Sequence, residues 1–201
     1  MKLDIVISGV GGQGSVLASR ALARAAMESG LAVRTSEVIG MAQREGPVTS
    51  HIRMGDRLYG AIIPDRAADF LLGLELAETV RGLIKLKPGG TVIASLSAIV
   101  PVSVELGISK YDKDTLIQYL IEQNEKVFFL DLEELSRQSG HPRTGNAVML
   151  GALSAFPGLP FKPEQLLRSL LSYLPQSLAE INRRAFEIGR RAVEVTLNDI
   201  N

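Results

Sequence analysis

Gly9-Val10-Gly11-Gly12-Gln13-Gly14 is the first stretch whose residue types and spacing could do chemistry. Gly9, Gly11 and Gly14 fit G-x-G-x-x-G, between the apolar run Leu3, Ile5, Val6, Ile7 and an alanine- and leucine-rich helical pattern. In that strand–turn–helix setting the first glycine allows a tight turn and the second lets backbone approach a ligand or a neighbour. The third lets helix pack closely on strand. Free N–H groups at the helix start also favour an anion. The motif predicts a Rossmann-like opening; a bound dinucleotide is a separate claim. Glu37, near the end of a second strand, stands where such domains place an acid for the ribose hydroxyls, or is simply a polar residue at a strand edge.

A second group lies between residues 39 and 53. His51 titrates near neutral pH and could shuttle a proton, but the sequence offers it no evident serine, cysteine or metal-ligand partner. Arg44 and Arg53 have the planar fork that clamps a carboxylate or phosphate, or pairs within an interface. Gln13 and Gln43 supply amide donors and acceptors, and Met41 reads as packing or partner contact. No paired-carboxylate or metal-ligand constellation is legible from spacing.

The elements that must position these residues alternate as in an α/β fold. A helix is expected over 13–29 with Gly30 as its stop, followed by a strand from Leu31 to Val38. Gly40, Gly46 and Pro47 make 39–48 a loop at the C-terminal rim of the sheet, where open α/β sheets bind ligands and partners. Residues 49–63 read as a β-hairpin turning at Gly55-Asp56, a departure from the usual dinucleotide pattern. Further strands are expected at Phe70–Leu74, Thr91–Ser95 (after a Pro88-Gly89-Gly90 turn) and Val127–Leu130. Helices are expected at Leu76–Lys85, from Lys113 to about Gln123 behind an Asp112 cap, and near Leu132–Ser136. From Thr144 onward the pattern is helical, with Thr144 as a cap and Pro163 in a first turn. The last helix carries an apolar stripe of Leu178, Ile181, Ala185, Ile188, Ala192 and Val195 beside a charged face.

The fold expected is therefore α/β: one Rossmann-like three-layer domain over 1–201, with a β-hairpin insertion and a helical C-terminal part over 144–201. Lys+Arg and Asp+Glu both number 22, so no charge excess points to nucleic acid or a membrane surface. There is no cysteine, which excludes disulfides, a thiolate nucleophile and cysteine-ligated clusters in this chain. Neither a signal-peptide core nor a membrane-length apolar run is present, and a cytoplasmic location is expected.

Taken together, the glycine loop, Ser36-Glu37-Val38-Ile39-Gly40-Met41-Ala42-Gln43-Arg44 and Ser50-His51-Ile52-Arg53 resemble the γ-type domain of 2-oxoacid:ferredoxin oxidoreductases. As a separate chain of this length it most resembles the β subunit of the indolepyruvate:ferredoxin enzymes, over roughly residues 3–155. Arg44-Glu45-Gly46-Pro47 departs from the smaller or glycine-rich sequence common there. The resemblance implies oxidative decarboxylation of a 2-oxoacid, indolepyruvate or another aryl pyruvate, to an acyl-CoA. Thiamine diphosphate, Mg and iron–sulfur clusters would sit in a larger partner subunit that reduces ferredoxin, with coenzyme A as co-substrate. This chain would bind none of those cofactors alone, would be inactive alone, and would complete the partner's site. Gly11, Gly12, Gln13, Met41, Gln43, Arg44 and His51 are the positions the resemblance turns toward that site, with no metal ligand among them and His51 the one catalytic candidate. The alternatives are a stand-alone nucleotide-binding oxidoreductase and a non-enzymatic Rossmann-like binding module.

Overall fold

The computed structural model of the chain describes residues 1–41, 46–100, 104, 107, 110–124 and 126–200. Six strands form one mixed sheet: β1 (Lys2–Val10), β2 (Ala32–Ile39), β3 (Pro47–Gly55), β4 (Ala68–Gly73), β5 (Leu86–Ser95) and β6 (Val127–Leu130), in the order β2-β3-β1-β4-β5-β6. β4, β5 and β6 continue parallel to β1, as βαβ alternation requires. β3 runs antiparallel to both β1 and β2 and lies between them.

Side-chain alternation along the strands sorts two cores onto the two faces. Leu3, Ile5 and Ile7 of β1 and Ile52 and Met54 of β3 face the larger core. This is covered by α1 (Ser15–Glu28) and by the C-terminal helices α4 (Leu132–Ser139), α5 (Gly145–Ser154), α6 (Pro163–Leu171) and α7 (Ala179–Ile200). Val6, Leu71, Val92 and Ala94 face the smaller core, with Ile63, α2 (Leu76–Gly82) and Leu120 of α3 (Lys113–Gln123). The three-layer α/β expectation holds.

Several local expectations are corrected. A hairpin exists, but β2 and β3 make it around residues 40–46; residues 56–67 form no strand. The Gly55-Asp56 signal does not turn one strand onto the next: the Asp56 N–H donates to the Met1 carbonyl at 3.2 Å, closing β3 onto the chain's first residue. Pro88-Gly89-Gly90 lies inside β5 as a bulge, where pairing jumps from Ala68–Leu86 to Phe70–Thr91. Thr144 occupies the cap position of α5, but its hydroxyl makes no cap bond and donates instead to the His141 carbonyl. Asp112 does cap α3, accepting from the N–H groups of Asp114 and Thr115, and Pro163 opens α6. Of the 96–112 stretch, residues 101–103, 105–106 and 108–109 lie outside the described residues.

The docking face of α7 is rotated from the apolar stripe read in the sequence. Asn182, Ala185, Phe186 and Val193 are buried with Gly189, whereas Val195 is 62% exposed. Glycine sets that phase. A Cβ added at Gly189 would lie 1.9 Å from the Val148 carbonyl oxygen, and one at Gly151 of α5 would lie 1.9 Å from that of Phe186. The two helices touch backbone to backbone, where no side chain can move aside. Gly151→Ala is expected to destabilise the chain by about 2–3 kcal/mol or more through overpacking. Gly60→Ala, with nothing within 4 Å of the added methyl, should stay within about 0.5 kcal/mol of wild type. Urea unfolding of both variants checks the pair; equal midpoints would contradict the close contact.

Candidate functional site

The C-terminal ends of β1, β4, β5 and β6 meet the β2–β3 connection at one rim. The glycine loop leaves β1 there, and Gly14 enters the left-handed region at φ 80° to start α1 without a side-chain cap. Gln13 folds back across the crevice between β1 and β4. Its Oε1 accepts from the Val10 N–H at 2.8 Å, and its Nε2 donates to the Leu74 carbonyl at 3.0 Å. Gly9 leaves room for this arrangement, since an added Cβ would sit 2.6 Å from Gln13 Oε1 and 3.0 Å from Leu74 Cβ. The crevice that carries a pyrophosphate in dinucleotide folds is thus occupied by the chain's own amide.

Gly11 and Gly12 are exposed, and the Gly11 N–H donates to the Gly46 carbonyl at 3.0 Å, tying the glycine loop to the β2–β3 connection. On that connection Met41 is fully exposed, beside Val38 and Ile39 at 50% and 66%. Gln43 and Arg44 lie outside the described residues. Glu37, one strand further out than a ribose-binding acid, accepts from the Ser19 hydroxyl at 3.3 Å.

His51 is not brought to this rim. It pairs with Val6 in mid-sheet, is 2% exposed, and its Nδ1 accepts from the Ile63 N–H at 3.3 Å. Burial first, then the positive charges of Lys85 and Arg53, hold its pKa below the ordinary histidine value. Arg53 clamps a carboxylate, but the chain's own: its Nε and Nη2 donate to Asp4 Oδ1 and Oδ2 at 3.0 and 3.1 Å. The same guanidinium donates to the carbonyls of Gly60 and Ile62, so His51 and Arg53 together pin the 57–63 segment over the sheet.

The opposite end of the rim uses residues that the sequence did not single out. Glu75 is buried at the start of α2; its Oε2 accepts from the Glu78 N–H at 2.8 Å. Oε1 accepts from the Ile99 N–H at 3.2 Å and the Tyr111 hydroxyl at 2.6 Å. Burial and this hydrogen bond push the Tyr111 pKa up, and burial raises that of Glu78, against the pull of Arg81. A cavity of about 250 Å³ follows, walled by Gly12, Gln13, Ser97, Ile99, Ser136 and Arg143. Asp112-like cap rules find Glu75 only once the end of β4 is known; nothing in the sequence ties Ser136 or Arg143 to residues 12–13.

Over residues 4–192 the sequence matches the family described as pyruvate ferredoxin/flavodoxin oxidoreductase. The chain belongs to that family. Within it the chain is the small subunit of a 2-oxoacid:ferredoxin oxidoreductase. It is 38% identical over 197 residues to the indolepyruvate oxidoreductase subunit IorB of Pyrococcus horikoshii, covering 97% of this chain and 98% of that one. It is 38% identical over 196 residues to the same-named subunit of Thermococcus kodakarensis, covering 96% and 97%. The fold is shared with the gamma subunit of a keto/oxoacid ferredoxin oxidoreductase from Geobacter sulfurreducens, with TM-score 0.71, 24% identity and coverage of 96% of this chain and 99% of that. Among the described residues no group of three or more His, Asp or Glu side chains could hold a metal ion, and no helix is long and apolar enough to cross a membrane.

The buried His51 generates a pH test. Its native pKa lies below the unfolded value of 6.5, so below that value the unfolded chain takes up a proton that the native chain refuses. Its contribution is therefore present above pH 6.5 and lost as pH falls from there toward the native pKa. Relative to His51→Asn, which keeps an acceptor for Ile63, wild type should lose up to about 1.4 kcal/mol per pH unit in that window. Urea unfolding between pH 7.5 and 5.5 measures it; parallel profiles for the two proteins would contradict a buried neutral imidazole.

Proposed function

We propose that this chain completes the active site of a larger subunit that binds thiamine diphosphate, Mg and iron–sulfur clusters. That assembly converts an aryl pyruvate, of which indolepyruvate is the best supported, to its acyl-CoA with electrons passing to ferredoxin. The relatives named for indolepyruvate, matched along nearly their whole length, support the substrate. The larger subunit would hold the clusters, because this chain has no cysteine to ligate them.

The observation that carries the reading is the contrast at the rim. Gln13 closes the β1–β4 crevice from within, while Val38, Ile39 and Met41 beside it are bare apolar side chains. An apolar rim next to a filled crevice suits a protein partner better than a dinucleotide. In this reading Gly11, Gly12, Gln13, Met41, Gln43 and Arg44 face the partner's site and the coenzyme A phase of the reaction. His51 belongs to it only indirectly, by holding the 57–63 segment in place.

The test is reconstitution with the larger subunit. The chain alone should reduce no artificial acceptor with indolepyruvate, coenzyme A and thiamine diphosphate, and activity should appear on adding the partner. Met41→Asp, at a fully exposed position, should fold normally and weaken association by about tenfold or more. Acceptor reduction by the lone chain, micromolar NAD(H) binding to it, or unchanged association of Met41→Asp would overturn the reading.

A further inference from the structure

We propose that the cleft between α1 and the start of α7 binds a small apolar carboxylic acid with one neutral N–H, the chemistry shared by indole acids and N-acyl amino acids. Its carboxylate is taken by Arg143 and Asn146, and its N–H by Asn182. The site is a property of this chain and does not rest on the subunit reading. The cleft holds about 300 Å³ and brings Leu17, the 141–146 segment and Leu174 together with Leu178, Ile181 and Asn182.

Two buried asparagines open into it. Asn146 is 6% exposed and Asn182 is 7% exposed. Asn182 Nδ2 donates to the Leu178 carbonyl at 2.9 Å, which leaves Oδ1 as the free end. Asn146 Oδ1 accepts from the Ala147 N–H at 2.9 Å, which leaves Nδ2 free. Neither free end has a hydrogen-bond partner among the described residues. Among those residues, the only unpartnered side-chain atoms wholly shut off from solvent are the hydroxyls of Ser50 and Ser136. The two free amide ends therefore reach open space, and the cleft is the space that both asparagines wall. Polar side chains buried this deeply are rarely left half-bonded, so a donor and an acceptor here await a partner.

The rest of the wall sorts the ligand by charge. Arg143 is exposed, and its guanidinium has no partner among the described residues. The Arg143 N–H donates to His141 Nδ1 at 3.1 Å, so the neutral ring carries its proton on Nε2 as a further donor. Among the described residues no Asp or Glu walls the cleft. A guanidinium and two neutral donors, set against one neutral acceptor, favour an anion, and the guanidinium fork matches a carboxylate. An ammonium at Asn182 would have no counter-charge, so the group that meets its carbonyl is a neutral N–H.

The apolar wall sets the rest of the ligand. Leu17, Leu174 and Ile181 are half-buried and Leu178 is exposed, which leaves apolar surface for the ligand's body to cover. A few polar groups on an apolar wall are the make-up of small-molecule sites, which run to roughly 300–1,000 Å³. At about 300 Å³ the cleft is at the low end of that range and suits a small acid, not a dinucleotide.

The test is an amide-shift titration of the full chain with indole-3-acetate and with N-acetyl-L-leucine at fixed ionic strength. Saturable shifts are expected at Leu17, Asn146, Leu178 and Asn182, and the tighter of the two acids names the source. Naphthalene-1-acetate, which lacks the N–H, and indole-3-acetamide, which lacks the charge, should each bind about tenfold more weakly than indole-3-acetate. Arg143→Gln should keep the wild-type Tm and weaken both acids about tenfold or more. Asn182→Ala should erase the preference for indole-3-acetate over naphthalene-1-acetate, a ratio taken within one variant and so independent of its stability. No saturable shift with either acid, equal binding of indole-3-acetate and naphthalene-1-acetate by wild type, or undiminished binding by Arg143→Gln would overturn the proposal.

Discussion

The buried pair between Arg53 and Asp4 holds β3 against β1, and the position of β3 fixes much of what the rim can do. Desolvating two charges is costly, and such a pair holds only with good geometry and further hydrogen bonds. Here the guanidinium meets the carboxylate through two bonds and spends a third nitrogen on the carbonyls of Gly60 and Ile62. With β3 seated, β2 lies two strand spacings from β1, about 10 Å away. Glu37 is carried with it and is taken up by Ser19 of α1. The acid and the glycine loop that a dinucleotide would bridge are thereby separated.

The same insertion turns the β2–β3 connection into part of the rim. The Gly11–Gly46 hydrogen bond ties that connection to the glycine loop, so the exposed Val38, Ile39 and Met41 stand beside Gly11 and Gly12. On the other side of Gln13, Glu75 fixes Ile99 and Tyr111, while the 140–145 loop brings Arg143 near Gly12. The glycine motif therefore serves as a hinge point between an apolar docking edge and a small polar cavity. Close approach is its use here, with Gly9 leaving room under Gln13 and Gly14 lying against Asn146 in the left-handed region.

Local signals in the sequence were enough for β1, α1, β6, the Asp112 cap and the Pro163 start, because each rests on neighbouring residues alone. What failed was information held by distant partners. Residues 49–54 alternate like any half-buried strand, and nothing local says that the mate is Leu3–Ser8 and not 57–63. The bulge at Pro88-Gly89-Gly90 looks like a turn because its chemistry is that of a turn. On α7 the apolar count misjudged the phase, since Gly189 contributes contact without hydrophobicity. The site was half legible: Gly11, Gly12, Gln13 and Met41 stand at the rim, His51 does not, and Ser136 and Arg143 come from over 120 residues further along the chain.

The proposed docking of this rim on a larger subunit is open to direct measurement. Hydrogen exchange of the chain, free and in complex, measures it directly. Docking at the rim should slow exchange at Gly11 and Gly12 and at Val38, Ile39 and Met41, with residues 84–90 at the opposite end of the sheet unchanged. Protection confined to 84–90, with the rim amides exchanging as in the free chain, would contradict it.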